Sequence, residues 1–327
     1  MLTKDDIRGV SAMIPTPCKP GQDGWQHEDS VDHEETARMV NKLIDAGIGS
    51  IAANGTTGEC AALTFDEKLG FTRTVLEAVD GRVPVFAGVT TLGTKETVQQ
   101  MREFRKLGAQ GAFVGLPLWQ TPTITNSVKF YADLAEAVPD MGIMIYANPF
   151  FFKSTFPVPF WEGVGRECPT VVTCKYVGDM VDMPNVLRDL SASMDAAPQV
   201  QFMPIDFTAG IAYQMVGDRL KALWSTSCAM GPEPIVALMQ AVQAGDTARM
   251  QQILEEMRAL PNPIKDFSEF AKYNVQVEKL RCNAAGYINA GPCRAPYQDI
   301  PDDWRELCDA SGQAWAQWCD DKYRSAA

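Results

Sequence analysis

Val171-Val172-Thr173-Cys174-Lys175-Tyr176-Val177 is a largely apolar, β-branched run that a lysine interrupts. Continuous runs of this kind form strands buried on both faces, as in parallel sheets. Similar runs recur along the chain, each followed by a helical pattern, and they begin near Val10, Ser50, Val83, Ala112, Ile143, Val171, Val200 and Ala222. Eight strand–helix units in about 240 residues match a (β/α)8 barrel, which typically takes ~250 residues. The sequence therefore predicts an α/β fold, a TIM barrel.

The helical patterns between these runs have recognisable ends. Thr64-x-x-Glu67 is a capping box, and Gly47, Gly81 and Gly108 stand where a glycine commonly follows a helix. The clearest patterns cover Val31–Ala46, Phe65–Val79, Lys95–Leu107 and Thr125–Val138. An open doubly wound sheet is the alternative, but it needs no eighth unit. It would also usually carry a glycine-rich nucleotide fingerprint, and neither common form of that motif occurs.

The last part of the chain shows only helical patterns. They cover Asp246–Leu260, Phe267–Ala285 and Asp302–Tyr323, and no Gly/Ser-rich linker precedes them. We therefore expect a barrel over residues 1–244 and a C-terminal helical extension over residues 245–327 that packs on the barrel.

The composition excludes several classes of partner. The 327 residues are 46% hydrophobic and carry a net charge of −12, and the pI is about 4.7. Nucleic acid and anionic membrane surfaces are poor partners for such a chain. No apolar stretch is long enough to span a bilayer, and the N-terminus lacks the apolar region of a signal peptide. We expect a cytoplasmic protein.

Cysteine and histidine usage limits the chemistry further. The nine cysteines form no Cys-x-x-Cys pair, and several of them lie in apolar surroundings, which indicates reduced thiols. The only histidines are His27 and His33, and neither follows a strand-like run. A histidine-based triad or metal site would have to be built from those two. Acid–base chemistry is therefore expected from lysine, tyrosine, carboxylates or water.

Lys175 is the most informative residue, because it interrupts a run that is expected to be buried. Burying an ammonium is costly, and a lysine held partly neutral is a nucleophile suited to Schiff-base chemistry with a carbonyl substrate. A strand lysine can also extend to the surface or pair with a carboxylate. The run by itself leaves both interpretations open.

Two other strand-like runs end in polar residues. The second ends in Asn54-Gly55-Thr56-Thr57-Gly58-Glu59, whose backbone N–H groups and hydroxyls could form a cradle for a carboxylate, although an ordinary glycine-rich turn is the alternative. The fifth ends in Tyr146-Ala147-Asn148-Pro149, where the tyrosine could relay a proton or simply pack in the core. In a barrel these residues and Lys175 share one rim, which is where such folds place their chemistry.

Together, Gly55-Thr56-Thr57-Gly58-Glu59, Tyr146-x-Asn148-Pro149 and Lys175 resemble the dihydrodipicolinate synthase / N-acetylneuraminate lyase family of class I aldolases. The resemblance covers essentially the whole chain. It implies a (β/α)8 barrel with a helical extension, a homotetramer, and a pyruvate-like 2-oxo acid as substrate. It also implies Lys175 as the Schiff-base lysine and Tyr146 as the proton relay. Thr56 and the Thr57 backbone would hold the substrate carboxylate, and the pocket would be lined by Asn148, Trp224 and Asn274.

Three stretches resemble the hydratase-aldolases of aromatic degradation within that family: Met13–Pro17, Phe267–Asn274 and Ala290–Arg294. The chain departs from the biosynthetic synthases after the fourth run, where Leu116-Pro117-Leu118-Trp119 replaces a tyrosine pair, so a relay between subunits is in doubt. Trp119 and Trp224 instead suggest an aromatic cleft, with core packing as the alternative for both.

We therefore predict a lysine-dependent hydratase-aldolase that converts an ortho-substituted (2-hydroxy or 2-carboxy) arylidene pyruvate and water to an aromatic aldehyde and pyruvate. The imine serves as the electron sink, so neither a metal nor an organic cofactor is expected. One alternative is a synthase or lyase for a sugar-acid or amino-aldehyde partner of pyruvate. Another is a non-catalytic protein that binds 2-oxo acids.

Overall fold

The computed structural model describes residues 1–178, 187–264 and 267–324. Eight parallel strands form one sheet in the order β7-β6-β5-β4-β3-β2-β1-β8. A parallel bridge between Ile205 and Trp224 joins β7 to β8 and brings the two ends of the sheet together. The predicted (β/α)8 barrel is confirmed. The strands are β1 Gly9–Met13, β2 Ser50–Ala53, β3 Val85–Gly88, β4 Gly111–Val114, β5 Gly142–Ala147, β6 Val171–Tyr176, β7 Gln201–Met203 and β8 Ala222–Ser225.

Helices connect the strands, and local sequence explains their ends. Thr64 and Glu67 form the predicted capping box, and Gly47, Gly81 and Gly108 all have positive φ. The first helix begins two residues later than predicted, because the Asp32 side chain accepts a hydrogen bond from the Glu35 N–H and caps it. The helices are α1 His33–Asp45, α2 Phe65–Val79, α3 Thr94–Lys106, α4 Ile124–Ala137, α5 Pro149–Phe152, α6 Val158–Glu167, α7 Leu190–Ala196, α8 Ala209–Val216 and α9 Glu233–Ala244.

The C-terminal residues form α10 Thr247–Ala259, α11 Phe267–Phe270, α12 Asn274–Ala285 and α13 Asp302–Cys319, with a final π-helical turn at Asp320–Arg324. The single helix predicted over 267–285 is wrong. The chain turns after α11, and there the Tyr273 ring packs on the Trp304 ring with centroids 5.5 Å apart. The side chains of residues 267 and 268, part of a stretch quoted above, lie outside the described part of the chain.

The helices after α9 share the core of the barrel. Apolar residues of α10, α12 and α13 belong to the same buried cluster as the strands, among them Ile253, Cys282 and Trp315. The division at residue 244 stays a prediction. Within the described ranges, no helix has the length and apolar character needed to cross a membrane.

Candidate active site

The strand register places Tyr146 and Lys175 side by side. The two residues are direct partners between β5 and β6, and both lie near the carboxyl ends of their strands. Both side chains are buried, with only 6% of Lys175 exposed. The structure therefore brings together the two residues that were predicted to carry the chemistry.

The Lys175 ammonium lies between two aromatic faces. Its Nζ is 4.1 Å from the centroid of the Tyr146 ring and 4.0 Å from that of the Trp224 ring. In the described part of the chain, no carboxylate pairs with this amine. The surface or ion-paired alternative for Lys175 is therefore not what the structure shows. Ring faces stabilise a cation by only about 0.5–2 kcal/mol, less than an ion pair with several hydrogen bonds in a buried setting.

Packing fixes the orientation of Tyr146. Its ring stacks on Phe113 with centroids 4.8 Å apart and meets Phe152 edge-on at 5.1 Å. Its hydroxyl lies 3.3 Å from Thr56 Oγ1, within hydrogen-bonding distance. The phenol thus joins the turn after β2 to the strand pair that carries Lys175, an arrangement that can pass a proton at this rim.

The turn after β2 is separate from the helix that follows it. Asn54 and Glu59 both have left-handed backbone conformations, and Thr16 Oγ1 donates to the Gly58 carbonyl at 2.8 Å. The helix α2 begins only at Phe65, and its own capping box uses its first N–H groups. The N-terminus of α2 is therefore not part of this turn. Any anion held here is bound by turn N–H groups and hydroxyls.

Glu59 fixes this turn to the C-terminal part of the chain. Its carboxylate is fully buried and accepts hydrogen bonds from Lys279 Nζ at 2.7 Å and from the Arg294 backbone N–H at 2.7 Å, and it also pairs with the Arg294 guanidinium. Lys279 and Arg294 both donate to the Thr16 carbonyl as well. We call Glu59, Lys279 and Arg294 the Glu59 cluster. Glu59 and Arg294 belong to motifs that carry the family resemblance, but their contact was not predicted.

The other predicted pocket residues have different local roles. Asn148 Oδ1 accepts from the N–H groups of Phe150 and Phe151 at 2.9 and 3.0 Å and so caps α5. Trp224 Nε1 donates to the Tyr176 carbonyl at 3.1 Å, which holds the indole over Lys175. Asn274 is the first residue of α12.

A cavity of about 430 Å³ opens from Lys175 towards the C-terminal helices. This volume lies in the usual range for small-molecule sites, ~300–1,000 Å³. The predicted residues Thr57, Tyr146, Asn148, Lys175, Trp224 and Asn274 all line it. Its apolar walls come from Phe151, Phe207, Met257, Leu260, Ile264 and Phe270. A smaller cavity of about 190 Å³, which includes Thr56, adjoins it and shares Tyr146, Phe151 and Asn274.

Trp119 lies outside this arrangement. It is 87% exposed and lines neither cavity, although its neighbour Leu118 lines the smaller one. The expected pairing of Trp119 with Trp224 in one aromatic cleft is therefore not formed within the chain. The apolar surface facing Lys175 comes instead from phenylalanines and from aliphatic residues at the end of α10 and after it.

The cavity also contains an acidic residue that was not predicted. Asp206 follows β7, and its carboxylate accepts from Ser225 Oγ at 2.5 Å and from the Phe207 N–H at 2.6 Å. Burial raises the pKa of the Asp206 carboxyl from 3.8 to about 6, although these hydrogen bonds oppose the rise. The available signal was the aspartate at the end of a strand-like run, in Met203-Pro204-Ile205-Asp206.

Comparison with known proteins agrees with this geometry. Trans-O-hydroxybenzylidenepyruvate hydratase-aldolase of Pseudomonas aeruginosa is 42% identical over 322 residues, 96% of this chain and 94% of that protein. Trans-2'-carboxybenzalpyruvate hydratase-aldolase of Nocardioides sp. (strain KP7) is 33% identical and covers 96% of this chain and 95% of its own length. The solved structure of PhdJ bound to a substrate intermediate has a TM-score of 0.92 and 34% identity, with 98% of both chains covered.

The family-level comparison covers most of the chain. The model of the dihydrodipicolinate synthetase family matches residues 22–311. That range includes the turn after β2, the β5–β6 pair with Tyr146 and Lys175, and both cations of the Glu59 cluster. The barrel, its lysine and this match lead to one conclusion: the chain belongs to the dihydrodipicolinate synthetase family.

Proposed function

We propose that this protein is a class I lyase, a hydratase-aldolase that cleaves an ortho-substituted arylidene pyruvate to an aromatic aldehyde and pyruvate in aromatic hydrocarbon degradation. One observation carries the proposal: a buried lysine that pairs with no carboxylate of the described residues lines a cavity with apolar walls. The names of the relatives that align over nearly their whole length support it.

The first chemical step is imine formation. The Lys175 amine attacks the 2-oxo carbon of Ar–CH=CH–CO–COO⁻, and the carbinolamine then loses water to give a protonated imine. Tyr146, with its hydroxyl near Thr56 Oγ1, supplies the proton that the departing hydroxide needs. The turn after β2, with Thr56 and the Thr57 backbone, holds the carboxylate.

The imine then drives hydration and cleavage. It withdraws electrons through the alkene, so the oxygen of a second water adds to the carbon next to the ring. The electron pair of the alkene moves towards the iminium, the added water releases one proton to solvent, and the neighbouring carbon then takes up one proton from solvent. Tyr146 takes the proton of the new hydroxyl, the carbon–carbon bond breaks towards the iminium, and the aldehyde leaves an enamine. Protonation and hydrolysis of the enamine release pyruvate and Lys175. The protein residues act as nucleophile and proton carriers throughout.

The walls of the cavity favour an aryl partner over a polar one. Phe207, Leu260 and Ile264 offer apolar surface, whereas a polyol would lose its hydration there without replacement hydrogen bonds. This opposes the sugar-acid and amino-aldehyde alternatives. In this proposal Trp224 and Asn274 line the pocket, and Asn148 caps the start of α5. Trp119 has no assigned role.

Reductive trapping tests the proposal. Borohydride with pyruvate should attach a three-carbon adduct to Lys175, and Lys175→Ala should lose both the adduct and turnover. Lys153→Ala is the matched control, because this exposed lysine lies just after α5, close to the site. An adduct on another lysine would end the assignment. Trapping without turnover of any arylidene pyruvate would favour a synthase, a sugar-acid lyase or a non-catalytic binder.

A cytoplasmic location and a homotetramer complete the proposal. The acidic net charge of −12 supports the first, since it disfavours anionic membrane surfaces. Membership in the family supports the second. Sedimentation equilibrium at several protein concentrations tests the tetramer, and a mass equal to one chain at all of them would contradict it.

A further inference from the structure

Two charged residues of α12 lie on the wall of the substrate cavity. Glu278 and Arg281 lie one turn apart, and both belong to the cavity that contains Lys175. Both are buried, and only 8% of Arg281 is exposed. Buried ionic groups normally require close partners, because desolvation is costly.

These two residues are almost unpartnered. The shortest contact between them is 3.8 Å, from Arg281 Nη1 to Glu278 Oε2, which is too long for a hydrogen bond. Arg281 Nε is buried and has no hydrogen-bond partner, and neither side chain bonds to another described residue. Buried polar groups are nearly always hydrogen-bonded, so such a pair on a cavity wall indicates a place for a polar ligand group.

Asp206 adds a second carboxylate to the same end of the cavity. It is buried and lines the cavity, and its charge interacts with both Arg281 and Glu278. We call Asp206, Glu278 and Arg281 the Arg281 cluster. With both carboxylates ionised it carries one negative charge. Among the described residues, the other charged ones along this cavity are Lys175 and the exposed Arg258.

The Arg281 cluster and Trp224 both line the cavity that contains Lys175. The cluster is connected to the end of β8, because Ile205, next to Asp206, bridges to Trp224, and Ser225, next to Trp224, donates to Asp206. A flat substrate that forms an imine with Lys175 and extends along this cavity towards α12 presents its ring substituent to the cluster.

We propose that the Arg281 cluster binds the ortho substituent of the aryl ring and selects a neutral hydroxyl over a carboxylate. This inference rests on the proposed function and names its substrate class. A phenol can donate its proton to Glu278 or Asp206 while its oxygen accepts from Arg281. A carboxylate could also accept from Arg281, but it would face two carboxylates in a buried site.

The test compares three substrates: 2-hydroxybenzylidenepyruvate, its unsubstituted parent and 2-carboxybenzylidenepyruvate. The wild type should cleave them with kcat/KM decreasing in that order. In Arg281→Met, the ratio of hydroxy to parent substrate should fall about 10- to 100-fold, the usual effect of a lost hydrogen bond to a charged group. In Glu278→Gln, the ratio of carboxy to parent substrate should rise. Arg305→Met, on the exposed side of α13, should leave both ratios unchanged.

Other outcomes overturn the inference. If the wild type prefers the carboxy substrate, the cluster does not recognise the substituent as proposed. The same follows if both cluster variants lose kcat/KM equally on all three substrates. If the wild type cleaves all three substrates with equal kcat/KM, the proposed function holds but this inference is refuted. Cleavage of none would refute both. Glu278→Gln preserves side-chain shape, and pyruvate trapping on Lys175 confirms that each variant keeps a folded site.

Discussion

Replacing Glu59 by glutamine tests how the turn after β2 is held. Glu59 is fully buried between two buried cations, Lys279 and Arg294. The substitution Glu59→Gln keeps the size of the side chain and removes its charge. The cluster then changes from a net charge of +1 to +2, with no anion left to balance either cation.

The expected cost follows from that charge count. Removing one partner of a buried ion pair typically costs about 3–5 kcal/mol, because the remaining charge stays desolvated. Glu59→Gln leaves two buried cations without an anion in the cluster, so we expect a cost in the upper part of this range. Lys279→Met instead leaves a balanced pair of Glu59 and Arg294 and loses only the hydrogen bonds of the lysine. It should cost about 1–3 kcal/mol, at about 1 kcal/mol for each lost bond.

Urea unfolding at one fixed protein concentration measures these differences. Lys129→Met is the control, because Lys129 pairs with Asp133 at 2.8 Å on the exposed surface of α4, and such pairs contribute only about 0–1 kcal/mol. Glu59→Gln should also raise the KM for the 2-oxo acid, since Thr56 and Thr57 lie on the turn that it releases. If Lys279→Met proves as costly as Glu59→Gln, charge balance does not govern the cluster and our reasoning fails.

Three further predictions concern the site itself. Tyr146→Phe should lower turnover by about 10²–10⁴-fold, the usual range for a positioned acid–base group, and steady-state rates near wild type would reduce Tyr146 to a packing residue. Thr56→Val should weaken pyruvate binding by about 1.5–3 kcal/mol, and unchanged affinity in a binding titration would place the carboxylate elsewhere. The pKa of Asp206 is raised on folding from 3.8 to about 6. The wild type should therefore lose about 3 kcal/mol of stability relative to Asp206→Asn as the pH rises from 3 to 7, at about 1.4 kcal/mol per pKa unit, and parallel stability–pH curves would contradict the burial effect.

The meeting of Tyr146 and Lys175 could be predicted from the sequence, because the barrel topology determines where the strands end. Parallel strands of a barrel end at one rim, so Tyr146 and Lys175 had to meet there once β5 and β6 were recognised. The capping box of α2 could also be predicted, because Thr64 and Glu67 are only three residues apart. Such features depend on short-range patterns and on the register of neighbouring strands.

Other features depend on contacts between distant parts of the chain. Glu59 meets Lys279 across 220 residues and Arg294 across 235, and no local pattern indicates either contact. Trp119 follows a strand, but periodicity does not determine the path of the segment that carries it, so its exposure was not predictable. The lack of a close partner for Arg281 among the described residues likewise depends on how α12 packs against α13 and the segment after β8.

The Glu59 cluster also sets an order of events during synthesis. The chain leaves the ribosome from its N-terminus, so the strands β1–β8 emerge before Lys279 and Arg294. Until those cations arrive, the Glu59 carboxylate must stay hydrated, because burying it without a partner is costly. The turn that carries Thr56 and Thr57 therefore reaches its final position only after nearly the whole chain has emerged. Incomplete chains are thus expected to form the barrel strands before they acquire an active site.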